Sequence, residues 1–314
     1  MKKDLLRVTD LSREDLDWIL RTTKVLKEEN KKGQLHRHLD GKSLGMLFQK
    51  SSTRTRISFE VGMYQLGGNS VMMSADQLQM SRGEVIEDSA RIFSRYLDAL
   101  VIRTSSQTEL DKLASKADIP IINALTDKYH PCQILTDIFT ITERKESLTN
   151  IKIAYIGDGN NVAHSWLLGA SIAGMQLIMA TPEGYGPDSD VVEQSMLIAE
   201  QSGANIELCH SPLKASKDAD VLYTDTWVSM GQENEAAEKC GAFKGFCIDQ
   251  ELVGTAKDSV MIMHCLPAHR GEEISGDVLD WKNSVVWDQA ENRLHTQKAI
   301  LLLLLHDCIK EIYP

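Results

Sequence analysis

The chain has 314 residues, 42% of them hydrophobic, and carries 34 Lys and Arg against 45 Asp and Glu, a formal charge of −11. That length exceeds one typical core and fits two domains of roughly 150 residues each, while the acidic balance disfavours nucleic acid as a partner. The apolar run from Ala299 to Leu305 is far shorter than the roughly 20 residues that span a bilayer, and Met1-Lys2-Lys3 passes straight into Asp4 rather than into a signal-peptide core, so a cytoplasmic protein with no membrane partner is expected.

Short apolar runs recur with amphipathic stretches between them, the alternation of parallel α/β domains. Strands are predicted at 44–48, 71–73, 99–102 and 120–123 in the first half. In the second half they are predicted at 152–156, 176–180, 205–209, 221–224 and 260–265, followed by 285–287. Helical spacing falls between them: Ile57, Val61 and Tyr64 form one apolar face, and Ile134, Leu135, Ile138 and Phe139 another, both expected to pack on sheets. The charged stretch 143–150 marks a boundary, giving domains over 1–150 and 151–291. The apolar stripe in the final helix, about 292–314, is more than a surface helix buries on one side and is expected to cross back onto the first domain. The expected fold class is therefore α/β: two doubly wound parallel-sheet domains with a shared active-site cleft.

Candidate chemistry sits at strand ends. Ser51-Ser52-Thr53-Arg54-Thr55-Arg56 opens a helix directly after the first strand, so backbone N–H groups, hydroxyls and guanidinium groups converge where a phosphate would sit. Arg103 ends the third strand and can point into the same crevice. In Tyr129-His130-Pro131-Cys132-Gln133 a proline begins a helix just after a histidine, which places an imidazole and the Gln133 amide at its start as donors for a developing oxyanion. Gly157-Asp158-Gly159-Asn160-Asn161 follows the strongest strand. The third glycine of a dinucleotide fingerprint is missing, since position 162 is Val, so the glycines are expected to let the turn approach a ligand closely, with the two asparagine amides at its lip.

Asp225-Thr226-Trp227-Val228-Ser229-Met230-Gly231 offers a carboxylate for an ammonium and loop N–H groups for a carboxylate. His264-Cys265-Leu266-Pro267 ends another strand; Cys265 is either a nucleophile or a soft contact for a substrate amine, and no adjacent base activates it. The six cysteines show no C-x-x-C pair or zinc spacing, and neither a metal nor an organic cofactor is expected.

Together with Glu291-Asn292-Arg293, these motifs resemble, in order and spacing over essentially the whole chain, the aspartate/ornithine transcarbamoylase family, and the Ser-Met-Gly and His-Cys-Leu-Pro clusters resemble its ornithine-using branch. The resemblance implies carbamoyl transfer from carbamoyl phosphate to the side-chain amine of ornithine by direct attack. It implies that Ser52, Thr53, Arg54 and Thr55 hold the phosphate and that Arg103, His130 and Thr55 polarise the carbonyl. Gln133, the backbone at Cys265-Leu266 and Arg293 would hold the carbamoyl NH2 end. Asn161, Asp225, Ser229 and Met230 would bind the amino-acid end of ornithine, with Cys265 and Asp225 near its amine. A homotrimer is also implied, with Gln79 reaching from one subunit into the neighbour's site. The competing readings are a carbamoyl transferase acting on putrescine or N-acetylornithine, and a binding protein that kept the fold without the activity.

Overall fold

The computed structural model describes residues 4–50, 52–74, 78, 83–145, 147–228, 236–306 and 308–313. The chain divides into two compact units, Met1–Phe139 with Glu291–Pro314, and Thr140–Ala290. In the first, α1 (Arg13–Lys31) is followed by β1 (Ser43–Phe48), α2 (Thr53–Gln65), β2 (Asn69–Ser74), α3 (Ile86–Tyr96), β3 (Ala99–Arg103), α4 (Gln107–Lys116), β4 (Ile121–Leu125) and α5 (Pro131–Thr142). Its strands run parallel in the order β2-β1-β3-β4. The interior strands β1 and β3 are buried on both faces, which is why they read as continuous apolar runs rather than alternating ones. The chain leaves β1 toward one edge of the sheet and returns beside it as β3, so the loops after these strands diverge and leave a crevice at their carboxyl ends. Phe48 and Arg103 lie in register there.

The second unit continues with β5 (Lys152–Ile156), α6 (Asn161–Ala173), β6 (Gln176–Ala180), α7 (Ser189–Ser202), β7 (Asn205–Cys209), α8 (Pro212–Ser216), β8 (Val221–Thr224), α9 (Ala236–Ala242), α10 (Gln250–Val253), β9 (Met261–His264) and α11 (Gly276–Leu279). These strands are also parallel, in the order β7-β6-β5-β8-β9, which places the switch point between β5 and β8. The doubly wound α/β fold expected from the sequence is therefore present in both units.

Helix α12 (Val286–Leu305) begins in the second unit and belongs to the first from Glu291 onward, ahead of the short α13 (Ile309–Ile312). Its apolar stripe is buried at Ala299, Ile300, Leu301 and Leu302. Polar side chains fix its position within the first unit. Lys27 on α1 donates to Asn292 Oδ1 at 2.6 Å, and the fully buried Lys298 donates to Gln65 Oε1 at 2.8 Å and lies 3.0 Å from His36 Nε2. Burial and the Lys298 charge pull His36 down to about 4, so at neutral pH its ring is an uncharged acceptor.

Two expectations are corrected. Residues 285–287 form no strand: Val285 donates one backbone bond to Ile262 and the helix starts at Val286, three apolar residues being too few to establish a period. In α2, the face Ile57, Val61 and Tyr64 is exposed, while Thr55, Ser58, Phe59, Gly62 and Met63 turn inward. Both faces have helical spacing, and α12 selects between them. A Cβ on Gly62 would stand 3.2 Å from Lys298 Cγ, so the glycine admits the lysine stem. The α5 face Ile134, Leu135, Ile138 and Phe139 is buried as expected.

Burial lowers Lys298 to about 8 from an ordinary 10.5, against a weaker opposing pull from Glu29. Between those values the unfolded chain holds the proton and the folded chain has released it, so this group makes stability rise with pH across that window. Lys298→Met is expected to remove that rise, seen as a smaller increase of urea midpoint between pH 8 and pH 10.5 in the variant than in the parent.

Candidate active site

In the first unit, Ser52 precedes α2 in an extended conformation and its side chain makes no capping bond, and no acidic residue stands in the first turn of this 13-residue helix. The first-turn N–H groups are thus oriented for an external anion at the positive end of the helix. Thr53 and Arg54 are exposed at this end, whereas Thr55 is buried. Arg56 points elsewhere: it is exposed and 3.5 Å from Glu60 one turn along.

Pro131 opens α5, and His130 before it is buried, as is Arg103 at the end of β3. Burial, then the charges of Arg293, Arg103 and Arg54, hold the His130 imidazole well below its ordinary pKa, so it is neutral at physiological pH. Arg103 is lowered to about 10 by burial and by Arg293 and Arg54, which leaves it charged. Buried Arg293, delivered by α12, donates from Nη1 to Gln133 Oε1 at 2.6 Å and from Nη2 to Thr55 Oγ1 at 2.8 Å. Gln133 Nε2 in turn donates to Asp137 Oδ1 at 2.8 Å. The guanidinium marks the amide oxygen and the carboxylate marks the amide nitrogen, so the Gln133 orientation is settled. Asp137 was not anticipated, although its i, i+4 spacing from Gln133 on a helix is the signal that finds it. Cys132, between these residues, is pushed up to about 12 by burial and is an inert thiol.

In the second unit, the residues at the ends of β5, β8 and β9 meet. Asp225 is buried; its Oδ2 accepts from Asn160 Nδ2 at 2.9 Å and its Oδ1 accepts from the Cys265 thiol at 2.7 Å. Asn160 also caps α6, its Oδ1 accepting the N–H groups of Val162 and Ala163. That cap takes the helix N–H groups a pyrophosphate would need, which removes the dinucleotide reading.

Protein packing alone requires the glycines of this turn. A Cβ on Gly159 would fall 2.3 Å from the Gly186 carbonyl carbon, and Gly157 has φ +151° with Thr224 Oγ1 3.3 Å from where a Cβ would stand. Asn161 is partly exposed as the first residue of α6.

Cys265 and Leu266 are shaped by His264. Its Nδ1 accepts from the Leu266 N–H at 2.8 Å, supporting Leu266 at φ +57°, and its Nε2 lies 3.0 Å from Glu273 Oε1. With Nδ1 as acceptor, the ring proton belongs on Nε2, where it donates to the carboxylate. Burial would raise Glu273, but the His264 contact and the His269 N–H outweigh it and hold the carboxyl below its ordinary value. The sequence reading had no role for Asn160 as an Asp225 partner, for Glu273, or for Gln289, whose Oε1 accepts the His264 N–H. Gln79, Ser229 and Met230 lie outside the described residues.

A neutral imidazole among guanidinium groups at an uncapped helix start is equipped to donate to an oxyanion beside a bound anion, which makes this an α/β protein with a site of the anionic-ligand class. Comparison with known proteins narrows that class. Residues 3–143 match the carbamoyl-P binding domain of aspartate/ornithine carbamoyltransferase, and residues 149–304 match the Asp/Orn binding domain of the same family. The chain is 52% identical to ornithine carbamoyltransferase of Pyrococcus abyssi over 96% of each protein, and 51% identical to the anabolic ornithine carbamoyltransferase of Pyrococcus furiosus over the same share. Its structure resembles that of the Pyrococcus furiosus ornithine carbamoyltransferase with a TM-score of 0.94 over 98% of both chains, and that from Gloeobacter violaceus with a TM-score of 0.86 at 43% identity over 97% and 99%. The chain belongs to the aspartate/ornithine carbamoyltransferase family.

Because positive charge contributes to the depression of His130, its imidazole carbons are expected to show no titration by NMR between about pH 6 and 8 in the parent. Arg293→Met is expected to move that titration upward, since one of the charges opposing protonation is gone.

Proposed function

We propose that the chain catalyses transfer of the carbamoyl group of carbamoyl phosphate to the side-chain amine of L-ornithine, giving L-citrulline and phosphate, and that it does so in the cytoplasm. The observation that carries this reading is the Thr55–Arg293–Gln133 linkage beside neutral His130. Ser52, Thr53, Arg54 and the α2 N–H groups hold the phosphate. Thr55 accepts from Arg293, which leaves its own O–H free to be donated, and with Arg103 and His130 it polarises the carbonyl oxygen. Gln133 Oε1 accepts from the carbamoyl NH2, assisted by the backbone at Cys265-Leu266. Arg293 has only donors and serves that end by holding Gln133. Asn161, Asp225, Ser229 and Met230 bind the amino-acid end of ornithine, and Cys265 is a soft contact for the amine.

The uncharged amine attacks the carbonyl carbon and a C–N bond forms as negative charge collects on oxygen. The bond to the phosphate oxygen then breaks, and the proton lost by the amine is taken up by the departing phosphate. A neutral His130 donates to the oxyanion without competing for that proton, and the arginines neutralise the leaving group. Relatives of about half identity over nearly the full chain that bear the ornithine carbamoyltransferase name support ornithine over aspartate as acceptor. Putrescine is ornithine without its carboxylate, so the carboxylate-binding role assigned to the 225–231 loop argues against it as the acceptor.

The exposed Ile57, Val61 and Tyr64 on α2, with Val71 and Met72 on the neighbouring edge strand β2, are apolar surface suited to a second copy of the chain, and a homotrimer is the assembly proposed. Sedimentation equilibrium is then expected to give three times the 35.1 kDa chain mass or, where trimers stack, a multiple of that.

Carbamoyl transfer, followed as acceptor-dependent phosphate release, is expected with ornithine and not with putrescine, N-acetylornithine or aspartate, and Arg54→Ala is expected to lower turnover by ~10²-fold or more through lost phosphate neutralisation. Turnover with another amine would move the assignment to a different carbamoyl acceptor, and no turnover with any would favour a binding protein. Because the amine reacts unprotonated and resembles a lysine with pKa about 10.4, kcat/KM for ornithine is expected to climb from about pH 6 to 9, and a flat profile would contradict direct attack.

A further inference from the structure

Lys239 is a lysine on the seven-residue helix α9, yet its ammonium is buried. Burying an ammonium is costly unless it is paired and fully hydrogen-bonded, and a buried ion pair is weak evidence of added stability. Here Nζ donates to Asp158 Oδ2 at 2.8 Å and to the Trp227 carbonyl oxygen at 3.0 Å, and lies 5.9 Å from the centre of the Tyr185 ring. Asp158 belongs to the turn after β5, whose shape is also held by the Tyr155 hydroxyl donating to the Asp158 carbonyl at 2.9 Å. Trp227 stands two residues beyond Asp225, past the end of β8. One ammonium therefore ties together the two chain segments that rim the switch point of the second sheet. Asn160, from the same turn, makes a further tie by donating to Asp225. Burial raises the Asp158 carboxyl and the lysine contact opposes that rise, so the carboxylate depends on Lys239 for its compensation.

We propose that Lys239 is a positioning residue for the amine substrate: by joining Asp158 to the Trp227 backbone it sets the separation between Asn161 on one segment and Asp225 on the other. The proposal rests on the ornithine reading above. It predicts an effect confined to the second-unit substrate, because the residues assigned to carbamoyl phosphate through their side chains lie in the first unit.

The test is steady-state kinetics on the full chain for the parent, Lys239→Met, Lys239→Arg and Asp158→Asn, with both substrates varied and thermal midpoints recorded. Misplacement of a binding group by about 1 Å is enough for large losses, so Lys239→Met is expected to raise the ornithine KM by ~10-fold or more while the carbamoyl phosphate KM stays within ~2-fold. Lys239→Arg, which keeps the charge and the donors, is expected to restore most of the ornithine affinity. Asp158→Asn, which keeps an acceptor but not the charge, is expected to shift ornithine KM in the same direction by less, and decides the matter if Lys239→Met does not fold. An active parent whose variants keep the ornithine KM, or lose affinity for both substrates in step with a falling thermal midpoint, would overturn the proposal alone. A parent that makes no citrulline would overturn the functional reading and the positioning role with it.

Discussion

Three guanidinium groups, Arg54, Arg103 and Arg293, act on one buried imidazole in a chain whose overall charge is −11. Like charges gathered in a partly desolvated place repel one another, and the depression of both His130 and Arg103 by their neighbours is the sign of that repulsion. In the reaction proposed above, a phosphate dianion would relieve it, most of all as charge moves onto the leaving oxygens, so the repulsion of the free site would favour the transition state. Much of the first unit can be read as the means of holding those charges together. The Lys27 and Lys298 contacts secure α12, α12 carries Arg293, and Arg293 orients Thr55 and Gln133. Burial first, and then the same charges, keep His130 neutral, so in the proposed reaction one arrangement would supply both the anion seat and an uncharged donor.

The second unit, also a parallel sheet but with five strands in a different order, carries the opposite charge at its switch point. At its switch point stands a carboxylate, Asp225, held by an amide and a thiol rather than by arginine. That environment suits a cationic amino acid. The His264–Glu273 contact beneath Cys265 gives the turn at Leu266 a rigid support. Both units thus place chemistry at the carboxyl ends of parallel strands, where the chain reversal in the sheet order leaves a crevice that backbone hydrogen bonding does not fill.

Residues that stand at the junction of a strand and the following helix can be read from the sequence. Thr55, Arg103, His130 and Gln133 sit at ends of apolar runs, and strand-then-helix punctuation is a local signal. Partners that arrive from distant parts of the chain were not legible in the same way. Asp137 was one helical turn from a named residue and went unread; Gln289, Glu273 and Lys239 reach their partners across the fold, with nothing at their own positions to announce it. The glycines at 157 and 159 were read as space for a ligand, and that space is taken up by the protein's own backbone and Thr224.

The amino-acid sequence alone determined the α/β class, the parallel sheets, the anion-seat motif at the start of α2 and the family resemblance, because strand burial, helix starts and motif spacing are written within short windows. Tertiary structure alone decided which face of α2 is buried, that residues 285–287 enter a helix, which end of the Gln133 amide is the acceptor, and that His130 is neutral. Helical periodicity admits more than one apolar face, and a pKa is the sum of burial and charge from every neighbour, so both depend on contacts that exist only once α12 has packed against the first unit.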